Sequence, residues 1–137
     1  MDLIVFIINS IRGKKVLFDI AVEIPRKYKK ILPGEELLLQ LSLLNLGEIG
    51  KVDVEVEYIV KDFDGNILLT TIEFVAIETT LSHLKILNLP VDIAYGPYLI
   101  VVKVNYKDVT SAVSASFEVV DKKISNWIYV SNKLISS

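Results

Sequence analysis

The amino-acid sequence predicts an all-β chain folded as one antiparallel β-sandwich of about seven to nine strands. Three observations carry this expectation. Apolar residues recur with period two along most of the chain. Gly, Pro, Asp and Asn interrupt that pattern at short intervals, where turns need them. No helical stretch is long enough for a βαβ crossover, so a parallel sheet is not expected.

The elements follow in chain order. Phe18, Ile20, Val22 and Ile24 share one parity, against Asp19, Ala21 and Glu23. Pro33-Gly34 closes the next loop. Leu37, Leu39, Leu41 and Leu43 then share a face, while Gln40 and Ser42 point away. Leucine is a good helix former, but strand-like neighbours and Gly47 favour a strand here. Residues 51–61 alternate most cleanly: Val52, Val54, Val56, Tyr58 and Val60 oppose Lys51, Asp53, Glu55, Glu57 and Lys61, with Ile59 as the exception. That pattern predicts one buried and one wet face. Asp64-Gly65-Asn66 marks a hairpin. In residues 67–78 the apolar face switches near Glu73, which predicts a bulge or a crossing between sheets. Residues 81–89 are mixed. Gly96-Pro97 opens a strand carrying Tyr98, Ile100, Val102, Val104 and Tyr106, and a last strand carries Val113, Ala115, Phe117 and Val119.

The chain has 137 residues, of which 52% are apolar and 23% charged. Residues 1–137 are therefore expected to form a single β-sandwich domain, with a core module over about residues 16–121. Two apolar segments flank that module, residues 3–8 and residues 127–130. Disorder is excluded by the apolar content. Net charge is −2, so no global field draws nucleic acid. The charge is uneven: residues 1–34 carry seven basic and three acidic side chains, and the rest of the chain is acidic. The absence of cysteine removes disulfides, thiolate metal sites and a cysteine nucleophile. Residues 3–8 are too short and wrongly flanked for a signal peptide or a membrane span.

Several short motifs fall in a particular order. Leu32-Pro33-Gly34-Glu35 precedes a strand ending Leu44-Asn45-Leu46-Gly47; later come Leu89-Pro90 and then Gly96-Pro97-Tyr98. This order resembles immunoglobulin-like modules of bacterial and archaeal surface proteins, and among these the cell-adhesion-related (CARDB-like) group. The resemblance spans about residues 18–120. It implies an immunoglobulin-like sandwich serving as a non-catalytic structural or adhesion module of a larger cell-surface or exported protein, located extracellularly. It carries over no functional residues, because the matched positions are turn and core residues.

No residue is nominated as catalytic, cofactor-binding or metal-ligating, and no cofactor is expected. Residues 62–66 fail the spacing of an EF-type calcium loop and read as a hairpin turn. His83 is the one histidine, and it has no partner at metal-ligand spacing; a structural or surface role is expected. Asp53, Glu55 and Glu57 form a row on a wet strand face, which suits solubility. Partner contact is assigned to Arg26, Lys27, Tyr28, Lys29 and Lys30, a basic run with one aromatic, and to the aromatics Tyr95 and Trp127. Against this stands a plain solvated loop. The apolar end segments are expected to add a strand or pack over an open sheet edge of their own domain; the alternative is β-strand addition to neighbouring modules or other protein chains, which are the expected partners. A ligand-binding module for carbohydrate or peptide is the alternative.

Overall fold

A computed structural model describes residues 18–46 and 50–122. The apolar end segments and Trp127 lie outside these residues. The described chain forms eight strands. They are β1 (Phe18–Glu23), β2 (Lys30–Ile31), β3 (Glu36–Asn45), β4 (Val52–Asp62), β5 (Ile67–Ile77), β6 (Thr80–Asn88), β7 (Gly96–Tyr106) and β8 (Val109–Val119). A single 3-10 turn, Arg26–Tyr28, follows Pro25, whose φ of −55° suits it.

The strands make two sheets, one of three in the order β1-β3-β6 and one of five in the order β2-β8-β7-β4-β5. This is an all-β sandwich, with β2 and β5 at the two edges of the larger sheet. All pairs are antiparallel except β2 with β8, which is parallel. The exception has a topological cause. The chain leaves β1 on one sheet, passes the 3-10 turn and joins the other sheet without reversing direction. The β2 strand is only two residues long, too short to show as alternation.

The core is the sum of the inward parities. Leu37, Leu39, Leu41 and Leu43 of β3 face Val54, Val56, Tyr58 and Val60 of β4 and Ile100, Val102 and Val104 of β7, all buried. Full burial of each such side chain stabilises by about 1.5–3 kcal/mol, so a wrong register would be costly in every strand at once.

Two details differ from the sequence reading. The pairing of β5 with β4 runs unbroken from Val52↔Ile77 to Val60↔Leu69, and the bulge falls at Val60/Lys61. There is no switch at Glu73. Instead Glu73 shares the inward parity of Val75 and Ile77, and Ile72 and Phe74 point to solvent. The second concerns the acidic row of β4. Asp53 is exposed, but Glu55 and Glu57 are half-buried. Their cross-strand partners are Phe74 and Ile72, whose bulk shields them on the shared outer face.

Candidate functional site

Two groups of residues merit a functional reading, one between the sheets and one at a loop end. The first lies along the side of the sandwich where β5 and β6 are both edge strands. On β6 the inward parity is Leu81, His83, Lys85 and Leu87. Two polar side chains are thus aimed at the gap between the sheets, opposite Glu73 of β5. Glu73 Oε2 accepts a hydrogen bond from Tyr58 Oη at 2.6 Å and lies 3.0 Å from His83 Nε2. Its Oε1 accepts from Lys85 Nζ at 3.3 Å. Lys85 also stands 5.2 Å above the Tyr58 ring, within cation–π range.

Burial alone would raise the Glu73 carboxyl; the Tyr58 hydrogen bond and the charges of Lys85 and His83 outweigh it and hold the carboxyl below the ordinary glutamate range. Burial, then the bond to Glu73, pushes the Tyr58 hydroxyl far up, so it stays a donor. The cluster thus bridges the two sheets with one acceptor group and three donors. His83 takes the structural role expected of it. Sequence reasoning missed the cluster, although parity held the signal: His83 and Lys85 alternate in phase with Leu81 and Leu87, and Glu73 in phase with Ile77.

The second group gathers at the end of the five-stranded sheet where β8 finishes. Ile31, Val119 and Gly96 are register partners across three neighbouring strands. Lys30 and Tyr95, each adjacent to one of these, therefore lie on the order of 10 Å apart. Lys29 is tied here through its carbonyl, which accepts from the Glu118 amide at 2.8 Å. Tyr95 is 66% exposed and Val91, on the same loop, 83%. The loop is anchored beneath: Gly34, with φ +81°, donates its amide to Pro90 O at 3.2 Å, and Tyr98 Oη donates to Ala94 O at 2.7 Å. Arg26, Lys27 and Tyr28 form the 3-10 turn on the connection from β1 to β2. Tyr28 is half-buried against the core, and Lys27 Nζ lies 5.3 Å over its ring, so part of the stacking surface is already covered.

At residues 62–66 the structure shows a hairpin turn. Asp62 Oδ1 accepts from the amides of Asp64 and Asn66, both at 2.9 Å, and Oδ2 accepts from Asn66 Nδ2 at 2.9 Å. The Asn66 bonds foremost hold its carboxyl below the usual aspartate range. Gly65 takes a φ of +94° that a side chain would disfavour. Among the described residues, no three His, Asp or Glu side chains group closely enough to hold a metal ion. No described helix is long and apolar enough to cross a membrane.

Fold and sites together define an all-β sandwich of two sheets, with the Glu73 cluster between them on one side and Lys30 and Tyr95 at a loop end. No family model matches the chain, and no curated protein sequence does. Solved structures do resemble it. A family 123 glycoside hydrolase from Clostridium perfringens aligns over 77% of this chain and 28% of its own, at 12% identity and a TM-score of 0.55. The alkylpurine DNA glycosylase AlkC of Pseudomonas fluorescens aligns over 77% of this chain and 31% of its own, at 13% identity and a TM-score of 0.55. The C-terminal domain of wzt aligns over 77% of this chain and 72% of its own, at 15% identity and a TM-score of 0.52. The chain thus spans less than a third of the two enzymes. At these identities the likeness is one of fold.

Proposed function

We propose that this chain is a non-catalytic structural or adhesion module of a larger cell-surface or exported protein, similar in kind to the CARDB-like group. The observation that carries the reading is how the polar groups are used. Its titratable cluster is spent on joining the sheets: Glu73 holds Tyr58, His83 and Lys85 together, and this geometry makes a stiff edge rather than a reactive cleft. The likeness to parts of much longer chains supports the same reading, since such sandwiches recur as portions of larger proteins. The work of the module is then mechanical: it spaces or joins other parts.

The test is location. Intact cells that make the protein are treated with a membrane-impermeant biotin reagent, and an antibody to the sandwich recovers it. Labelling before lysis is expected. Labelling only after lysis would overturn the surface assignment.

A second reading has an observation of its own. Tyr95, Val91 and Lys30 place an exposed aromatic, an apolar and a basic side chain around one loop end, a composition that suits a carbohydrate or an acidic peptide. A glycan and peptide array comparing the wild type with Tyr95→Ala tests it. Binding lost in the variant supports a ligand-binding module, and equal signals contradict it.

A further inference from the structure

Two open sheets leave four edges, and here the four differ. β1 is guarded by charge, with Asp19 and Glu23 exposed on its outer face. The Phe18 carbonyl also accepts from Ser111 Oγ of β8 at 3.3 Å, which ties that edge to the other sheet. β2 is only two residues long. The remaining edges, β5 and β6, lie on one side of the sandwich. Among the described residues no strand pairs with either on its open side. β5 runs for 11 residues without Pro, Gly or Lys. Its one charged residue, Glu73, points inward, while Ile72 at 51% and Phe74 at 72% exposure face outward. β6 likewise exposes Leu84 at 59% and Ile86 at 51%. A long edge without charge on its outer face is a template for pairing with another chain.

We infer that this side wall binds a second copy of the chain, with β5 pairing antiparallel to β5 of the copy, so that the two five-stranded sheets become one. Symmetry is the first argument. A twofold axis normal to the sheet pairs identical strands antiparallel and keeps their outer faces on the same side. Ile72 is the middle residue of β5. An axis there sets Ile72 against its counterpart, with Phe74 on the diagonal to it. It also sets Glu73 opposite Thr71 of the copy, whereas an axis at Glu73 would oppose two like charges. The second argument is that both edges share this axis. Glu73 contacts His83 and Lys85, which flank Leu84, the middle residue of β6. The midpoints of β5 and β6 therefore lie nearly over one another, and Leu84 comes to face its own counterpart. A foreign strand would cover β5 and leave β6 open; a second copy covers both.

Charge is the third argument. Glu73 and Lys85 are paired within each copy, so the walls meet without net repulsion. The acidic row of β4, Asp53, Glu55 and Glu57, stands three strand spacings from its counterpart, ~14 Å, against a screening length of ~8 Å. Area is the fourth. A strand of 11 residues is ~36 Å long and the sheets stand ~10 Å apart, so with side chains the wall covers on the order of 700 Å². A stable interface takes ~800 Å² from each partner. The bulge at Val60/Lys61 confines the regular ladder to residues 69–75 of each copy.

The experiment is light scattering behind size-exclusion chromatography on the full chain, across a dilution series, with two variants beside it. The inference predicts a particle of twice 15.4 kDa that dissociates on dilution. Ile72→Lys puts two like charges at the axis and should give a monomer. Ile72→Cys tests the register directly. The chain has no cysteine of its own, so under mild oxidation this variant can cross-link only to its copy, and a covalent dimer is expected. Ser114→Cys, exposed on the same sheet face but on β8, should stay uncross-linked. If Ile72→Lys does not fold, Ile72→Cys carries the test. A monomer at every concentration would overturn the inference. So would a dimer that survives Ile72→Lys, a mass that keeps rising beyond two copies, or equal cross-linking of the two cysteine variants.

Discussion

The hydroxyl of Tyr58, on a central strand of one sheet, donates a 2.6 Å hydrogen bond to Glu73 on the adjoining edge strand, and the same carboxylate takes Lys85 and His83 from the other sheet. Tyr58 is fully buried apart from this contact. A bond to a charged acceptor is worth ~1.5–3 kcal/mol. Tyr58→Phe keeps the ring and the other partners of Glu73, so it should destabilise by about 1.5 kcal/mol. Glu73→Ala should cost more, since it leaves the Tyr58 hydroxyl buried and unpaired. Urea titrations of both variants check the order; a larger loss from Tyr58→Phe would contradict the geometry.

The same carboxylate gives a pH dependence with a definite sign. Its folded pKa lies below the ordinary glutamate value. Its contribution is therefore complete above the unfolded value of ~4.3 and disappears as pH falls through the depressed folded value. Between pH 7 and 3 the wild type should lose its advantage over Glu73→Gln, and the loss should fall below about pH 4.5. Asp62, also depressed, titrates in both proteins and cancels in the difference. A stability gap between wild type and Glu73→Gln that is constant over this range would contradict the assignment.

Strand polarity in β4 can be tested by adjacent substitutions. Val56 is buried and Asp53 exposed. Val56→Asp places an unpaired charge in the core and should cost at least ~3 kcal/mol, whereas Asp53→Ala should stay within ~0.5 kcal/mol. Glu55→Ala should fall between them at about 1 kcal/mol, because Glu55 accepts from Asn105 Nδ2 at 3.0 Å. Chemical denaturation ranks the three, and similar losses for Val56→Asp and Asp53→Ala would contradict the strand assignment.

Asn45 joins two connections at one end of the sandwich. Its Nδ2 donates to Gly50 O at 3.1 Å and to Glu78 O at 2.9 Å, and its amide donates to Thr79 O at 2.8 Å. Asn45→Ala removes these two side-chain bonds and should lower stability by about 1–3 kcal/mol. Asn45→Asp should do no better, because a carboxylate cannot donate to either carbonyl. A melt in which Asn45→Asp matches the wild type would contradict this role.

Much of this fold was legible because its main determinant is local. Period two in β1, β3, β4, β7 and β8 reports which face is buried, and the hairpin at Asp62 follows from turn chemistry. What escaped depends on neighbours distant in sequence. The short β2 is defined only by its parallel pairing with β8. The outward turn of Ile72 and Phe74 defeats the rule that apolar parity means core, since β5 lies at an edge where both faces are partly open. Glu73 is tolerated inward because Tyr58, His83 and Lys85 meet it there, and no one-dimensional pattern places those four side chains together. Lys30 and Tyr95 are separated by 65 positions in the chain and come together through the β2-β8-β7 register.

The central claim, that this sandwich is one module of a longer polypeptide, is tested most directly by the mass of the native protein. An antibody against the sandwich is used to recover it from the cells that make it, and the band is sized and sequenced by mass spectrometry. The account predicts peptides of residues 18–122 within a polypeptide well above 15.4 kDa, joined covalently to sequence beyond this chain. A native polypeptide of 15.4 kDa containing these 137 residues and no others would contradict it.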